Sequence, residues 1–116
     1  ISLAVGTSTP ATLARLALAR HGLEPFFPVL VTAEDVRQGK PAPDIFVEAA
    51  RRLGVPAAAC AVIEDSTAGV QAARAAGMLA IWRVNAFAPT AGDAADLHAP
   101  DLFTLLDTLP LDVQGD

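Results

Sequence analysis

Tyrosine is missing from this sequence of 116 residues, and cysteine, methionine and tryptophan occur once each. The single cysteine, Cys60, excludes an intrachain disulfide, so a reducing, cytoplasmic setting is expected. Aromatic residues make up only 5% while hydrophobic residues make up 53%, so the core has to be built mainly from Ala, Val, Leu and Ile. That composition suits helices packed closely on a parallel sheet. No apolar run approaches the roughly 18 residues of a membrane span, and nothing basic precedes the apolar opening at residues 1–5, so neither a span nor a secretory leader is expected. There is also no block of Lys or Arg. With a formal net charge of -5, nucleic acid and anionic membrane surfaces are excluded as expected partners. The length suits one domain.

What is present alternates between short apolar runs and helical patterns. Residues 2–5 read as a strand. Thr9 can cap a following helix, with Pro10 in its first turn. Leu13, Leu16 and Ala17 continue at helical spacing to His21, at the helix C-terminus, and Gly22 stops the helix. Residues 29–32 read as a second strand. A polar loop ending in Gly39-Lys40-Pro41-Ala42-Pro43 leads to a helix with Phe46, Ala49, Ala50 and Leu53 on one face. Residues 61–63 form a third, wholly apolar strand, with Cys60 just before it as a core thiol. Glu64-Asp65-Ser66 breaks that strand, and Gly69, Ala72, Ala73 and Ala76 give the next helix a small-residue face. Residues 79–84 make a fourth strand that carries Trp82 as a packing residue. A loop through His98, Pro89 and Gly92 precedes a closing helix at residues 101–109, and residues 112–116 are expected to fray. Arg51 and Arg52 read as a solvated helix face. The fold class is α/β, a three-layer Rossmann-like core on a parallel sheet with right-handed crossovers, occupying residues 1–116 as one domain.

In open parallel sheets ligands bind beyond the carboxyl ends of the strands. That rule selects Thr7 and Ser8 after the first strand, Lys40 after the second, and Glu64 with Asp65 after the third. Each has an ordinary explanation alone: turn and cap hydroxyls, a loop lysine, an acidic strand end. The lysine does not belong to a Walker A loop, because Glu34 stands where its first glycine is needed and Pro41 where its Ser or Thr is needed. Two adjacent carboxylates at a buried strand end repel each other, and a cation relieves that. Magnesium suits such a pair, since it takes a few carboxylate oxygens along with water and substrate phosphate. Together the groups form a phosphoryl-transfer site. Metal and lysine neutralise charge, and Thr7 with the N–H groups at the next helix start holds a phosphate oxygen.

These residues carry a resemblance. The chain resembles the haloacid dehalogenase superfamily, in its β-phosphoglucomutase-like and phosphoglycolate-phosphatase-like branch. The matching strings are Leu3-Ala4-Val5-Gly6-Thr7-Ser8, Gly39-Lys40-Pro41-Ala42-Pro43-Asp44-Ile45-Phe46, and Val62-Ile63-Glu64-Asp65-Ser66-Thr67-Ala68-Gly69-Val70 running on to Gly77. The resemblance implies Lys40 and Thr7 as catalytic residues, Thr7, Ser8 and Lys40 as phosphate-binding groups, and Asp65 with Glu64 as ligands of Mg2+. It also implies a nucleophilic aspartate in an Asp-x-Asp motif, on a central strand flanked by the strands ending at Thr7 and Glu64. No Asp-x-Asp occurs in this sequence; Asp93 and Asp96 are one residue too far apart. The small cap domain of this branch is also absent. The expected core is therefore incomplete at its N-terminus, with two unpaired inner edges open to self-association.

The expected function is magnesium-dependent phosphoryl transfer, as a phosphatase acting on a small phosphorylated metabolite through an aspartyl-phosphate whose aspartate lies outside this chain. The chain alone is expected to be inactive. A phosphosugar mutase of the same family is an alternative, disfavoured by the missing cap. A non-catalytic phosphate- or magnesium-binding descendant is another, disfavoured by the retained Lys40, Glu64 and Asp65. A receiver-like signalling domain fits poorly, because it wants an acidic pair where Gly6-Thr7 stands.

Overall fold

The computed structural model of the chain describes residues 1–84 and 93–108. Its elements run β1 (Ala4–Thr7), α1 (Ala11–Arg20), β2 (Val29–Thr32), α2 (Asp44–Leu53), β3 (Ala61–Glu64), α3 (Thr67–Ala75), β4 (Leu79–Arg83), β5 (Leu97–Ala99) and α4 (Leu102–Thr108). All strand pairs are parallel, as the alternation of strand and helix requires. The loop through Pro89 and Gly92, the Leu109 end of the last helix and residues 112–116 lie outside the described residues.

The sheet is split. β1 pairs with β2, aligning Gly6 with Val31, and β3 pairs with β4 and β4 with β5. Among the described residues no ladder joins β1 to β3. The break falls between the strands that end at Thr7 and Glu64. One helical layer ties the halves together. α2 buries Ile45, Phe46, Ala49 and Ala50, and α3 buries Val70, Ala72 and Ala73. These pack in one cluster with Val31 of β2, Val62 of β3, and Ala80 and Trp82 of β4. Small residues let the helices sit close to the strands. At Gly6 the approach is so tight that an added Cβ would come 2.8 Å from Ile45 Cγ2 and 3.0 Å from Phe46 Cε1.

Several elements differ from the sequence reading. The first strand is shifted to Ala4–Thr7, because Gly6 and Thr7 pair with Val31 and Thr32 instead of turning away. Thr9 does not cap α1. Pro10 occupies the cap position without a side-chain bond, and the Ala11 amide is satisfied by Glu34 Oε1 at 3.1 Å. Leu13 and Leu16 do not serve a core face; they are 56% and 62% exposed, and Ala14 is the residue α1 buries. His98 lies in a strand that the sequence did not reveal, with its ring edge-on to Trp82 at 5.2 Å. Asp96 is more than a loop residue, since its carboxylate accepts from the Ala80 amide at 2.8 Å and pairs with Arg74. Arg51 and Arg52 are both exposed, as expected, and Arg51 pairs with Glu48 at 2.6 Å. Arg52 reaches back to the Leu30 carbonyl at 3.2 Å. Trp82 packs as expected at 6% exposure, although among the described residues its buried indole Nε1 has no hydrogen-bond partner. His21 stands at the C-cap of α1. Asp101 accepts from the Thr104 amide at 2.7 Å at the start of α4, a bond that holds its carboxyl below the ordinary range.

Candidate functional site

The carboxyl ends of β1, β2 and β3 bring the sequence-selected residues to one rim. Thr7 closes β1, and its Oγ1 accepts from the Thr9 amide at 3.1 Å. Ser8 follows and is exposed. After β2 the chain makes one 3-10 turn at Ala33–Asp35. There the Thr32 hydroxyl accepts from the Glu34 amide at 3.2 Å, and Asp35 accepts from the Thr32 amide at 2.8 Å. The latter bond is the main cause that holds the Asp35 carboxyl below its ordinary range, and the Arg52 charge adds to it. The loop then folds through two bonds: Gln38 amide to Asp44 Oδ2 at 3.3 Å, and Ala42 amide to the Gly39 carbonyl at 3.0 Å. This fixes the backbone of Lys40.

Lys40 crosses the split in the sheet. Its Nζ donates to the Gly6 carbonyl on β1 at 3.1 Å and forms an ion pair with Glu64 at the end of β3. The ammonium also lies 4.9 Å from the centre of the Phe46 ring, a favourable cation–π placement. The Lys40 and Glu64 side chains are 11% and 10% exposed, so the pair is largely withdrawn from water. The other Glu64 oxygen, Oε1, accepts from the Asp65 amide and the Ser66 hydroxyl, both at 3.2 Å. Ser66 in turn caps α3 through the Gly69 amide at 3.1 Å. A Cβ at Gly69 would overlap the Glu64 carboxyl group, so glycine there leaves the room this carboxylate occupies.

The structure therefore joins Lys40 and Glu64 directly, places Thr7 next to the Gly6 carbonyl that Lys40 holds, and leaves Asp65 exposed at the same strand end. Lys40 supplies one positive charge to Glu64. Of the N–H groups at the start of α1, the Ala11 amide is occupied by Glu34, a contact between residues 23 apart that no local motif announces. Among the described residues no three His, Cys, Asp or Glu side chains converge as a metal cage. The donor set at this rim is two carboxylates, hard oxygens in the small number that magnesium takes from a protein. Cys60 is half-buried and donates to the Pro56 carbonyl at 3.4 Å; burial pushes its thiol up, away from a reactive thiolate. Among the described residues no helix is long and apolar enough to cross a membrane.

The family model for "haloacid dehalogenase-like hydrolase" matches residues 1–77. The fructose-1-phosphate phosphatase YqaB of Escherichia coli (strain K12) is 47% identical over 79 residues, 68% of this chain and 42% of that protein. A phosphorylated carbohydrates phosphatase of Thermotoga maritima is 43% identical over 84 residues, covering 72% of this chain and 39% of its own length. Among solved structures, a HAD phosphatase from Thermococcus onnurineus superposes with a TM-score of 0.84 at 33% identity, over 94% of this chain and 50% of that one. The chain thus spans half or less of the length of each of these proteins.

Proposed function

Because the chain belongs to the haloacid dehalogenase-like hydrolases, we propose that its Lys40, Glu64 and Asp65 rim serves magnesium-dependent phosphoryl transfer, as a phosphatase acting on a small phosphorylated metabolite. The observation that carries this reading is the Lys40–Glu64 pair set across the split sheet, with Thr7 and Asp65 on either side of it. The names of the relatives above, phosphatases of fructose 1-phosphate and of phosphorylated carbohydrates, support a sugar phosphate as the class of substrate.

Asp65, with Glu64 beside it, would hold Mg2+, which when bound supplies positive charge against the phosphate. Thr7 Oγ1 accepts from the Thr9 amide and would donate its proton to a phosphoryl oxygen, with the exposed Ser8 hydroxyl as a second donor. Lys40, held between the Gly6 carbonyl and Glu64, keeps a cation where charge develops on the transferred group. The attacking carboxylate belongs to an aspartate outside these 116 residues, on a strand seated between β1 and β3. Its oxygen bonds to phosphorus as the bond to the sugar oxygen breaks, and that oxygen takes a proton. Water then cleaves the aspartyl-phosphate, releasing inorganic phosphate. The edges of β1 and β3 that are unpaired among the described residues also favour self-association of the chain, and the lone Cys60 supports a reducing, cytoplasmic setting.

Calorimetric titration with Mg2+ tests the metal assignment without reference to turnover. The native chain is expected to bind, and Asp65→Ala to bind at least about tenfold more weakly, the loss of one charged oxygen ligand. Equal affinity in the two, or no binding to the native chain, removes Asp65 from the metal site.

A further inference from the structure

An edge strand presents alternate backbone groups to solvent and is a template for a strand from another molecule. Among the described residues β2 pairs with β1 alone and is the outer edge of its half of the sheet. The backbone groups of alternate residues point to the same side of a strand. On β2, Leu30 and Thr32 are two apart, and each has a backbone group taken by a side chain. Arg52 Nη1 donates to the Leu30 carbonyl at 3.2 Å, and Asp35 Oδ2 accepts from the Thr32 amide at 2.8 Å. The two side chains approach each other, with Arg52 Nη2 3.7 Å from Asp35 Oδ1. Glu48, one turn back on α2, lies 3.7 Å from Arg52 Nε and steers it over the strand. Pro28, directly before β2, offers no N–H at all. A hollow of about 330 Å³ runs beside this edge, lined by Leu18, Pro28, Val29, Leu30 and Arg52 among others, so the edge is approachable from outside.

We infer that Arg52 and Asp35 form a latch over β2 that closes this outer edge to strand addition by a second copy of the chain. Arg52 is supplied by α2 and Asp35 by the turn after β2, so the latch forms only when the helix has docked on the strand. It occupies the acceptor at Leu30 and the donor at Thr32, the groups an incoming strand would need in consecutive positions. The other outer edge needs no such device: β5 is three residues long and is followed by Pro100.

Sedimentation velocity over a concentration series, with amide hydrogen exchange to locate any new contact, tests the latch. Arg52→Ala removes the donor to Leu30 and the ion pair together. Its self-association is expected to be about tenfold tighter than that of the native chain, the scale of one or two backbone hydrogen bonds made available. The added protection should fall on the Leu30 amide. Arg51→Ala, which removes a neighbouring charge that pairs with Glu48 and not with the strand, should leave association unchanged. Should Arg52→Ala not fold, Asp35→Asn, which keeps an acceptor for Thr32 and loses only the ion pair, is read in the same way with a smaller shift. A folded latch variant that associates no more than the native chain overturns the inference. So does new association whose protection falls on β1 or β3.

Discussion

Replacing Lys40 by alanine is expected to lower the unfolding free energy by about 3 to 5 kcal/mol, the range for removing one member of a buried ion pair. The pair is the reason. Glu64 is only 10% exposed, and without Lys40 its charge is left in a poorly solvated place. The Gly6 carbonyl loses its donor, and the face of Phe46 loses the cation above it. A whole domain has only about 5 to 15 kcal/mol of stability, so the loss is a large fraction of it. Urea unfolding followed by Trp82 fluorescence measures it. The double variant Lys40→Met with Glu64→Gln, which removes both charges and keeps both shapes, should recover most of the loss. A single variant within 1 kcal/mol of the native chain would mean that the pair is solvated and that Lys40 does not fasten β1 to β3. In an enzyme completed by its nucleophile, the same substitution should cost orders of magnitude in turnover.

Gly69→Ala is expected to destabilise the chain by about 1 to 3 kcal/mol, as overpacking does, even though alanine is the better helix former. The intrinsic helix preference favours alanine over glycine by about 1 kcal/mol. Against that, the new methyl would occupy the space of the Glu64 carboxyl. A free glutamate would swing aside at little cost. This one is held by Lys40, by the Asp65 amide and by the Ser66 hydroxyl, so moving it breaks three interactions. The overlap should therefore win. The discriminating comparison is Gly69→Ala made in a Glu64→Ala background, measured by the same unfolding curves. With the carboxylate gone, the substitution should turn neutral or stabilising. If Gly69→Ala destabilises equally in both backgrounds, the small residue serves helix packing and not the placement of Glu64.

Much of this arrangement is legible in the sequence. Helices that cover parallel strands announce themselves by faces such as Phe46, Ala49 and Ala50, because pattern and fold share one cause, burial. The strand-end rule then selected Thr7, Lys40, Glu64 and Asp65. What stayed hidden was set by contacts between distant residues. The Lys40–Glu64 pair joins positions 24 apart, and nothing local says that this lysine reaches that glutamate. The Ala11 amide could not be seen to need Glu34 when Thr9 offered a nearer cap. β5 escaped because it is three residues long, too short for the alternation of Leu97, His98 and Ala99 to stand out from a loop. The first strand read as residues 2–5 because a small polar run follows at 6–10, although pairing with Val31 and Thr32 carries the strand through Gly6 and Thr7. Arg52 looked like its neighbour Arg51 because one-dimensional spacing does not say which guanidinium bends back onto a strand.

The most direct measurement is magnesium-dependent hydrolysis of p-nitrophenyl phosphate by two proteins: the 116-residue chain itself, and the same chain joined at its N-terminus to an apolar strand ending in Asp-x-Asp. The predicted result is no turnover from the first and magnesium-dependent turnover from the second, abolished by Lys40→Ala. Turnover by the chain alone that disappears in Asp65→Ala would contradict it, because a residue already present would then be attacking phosphorus.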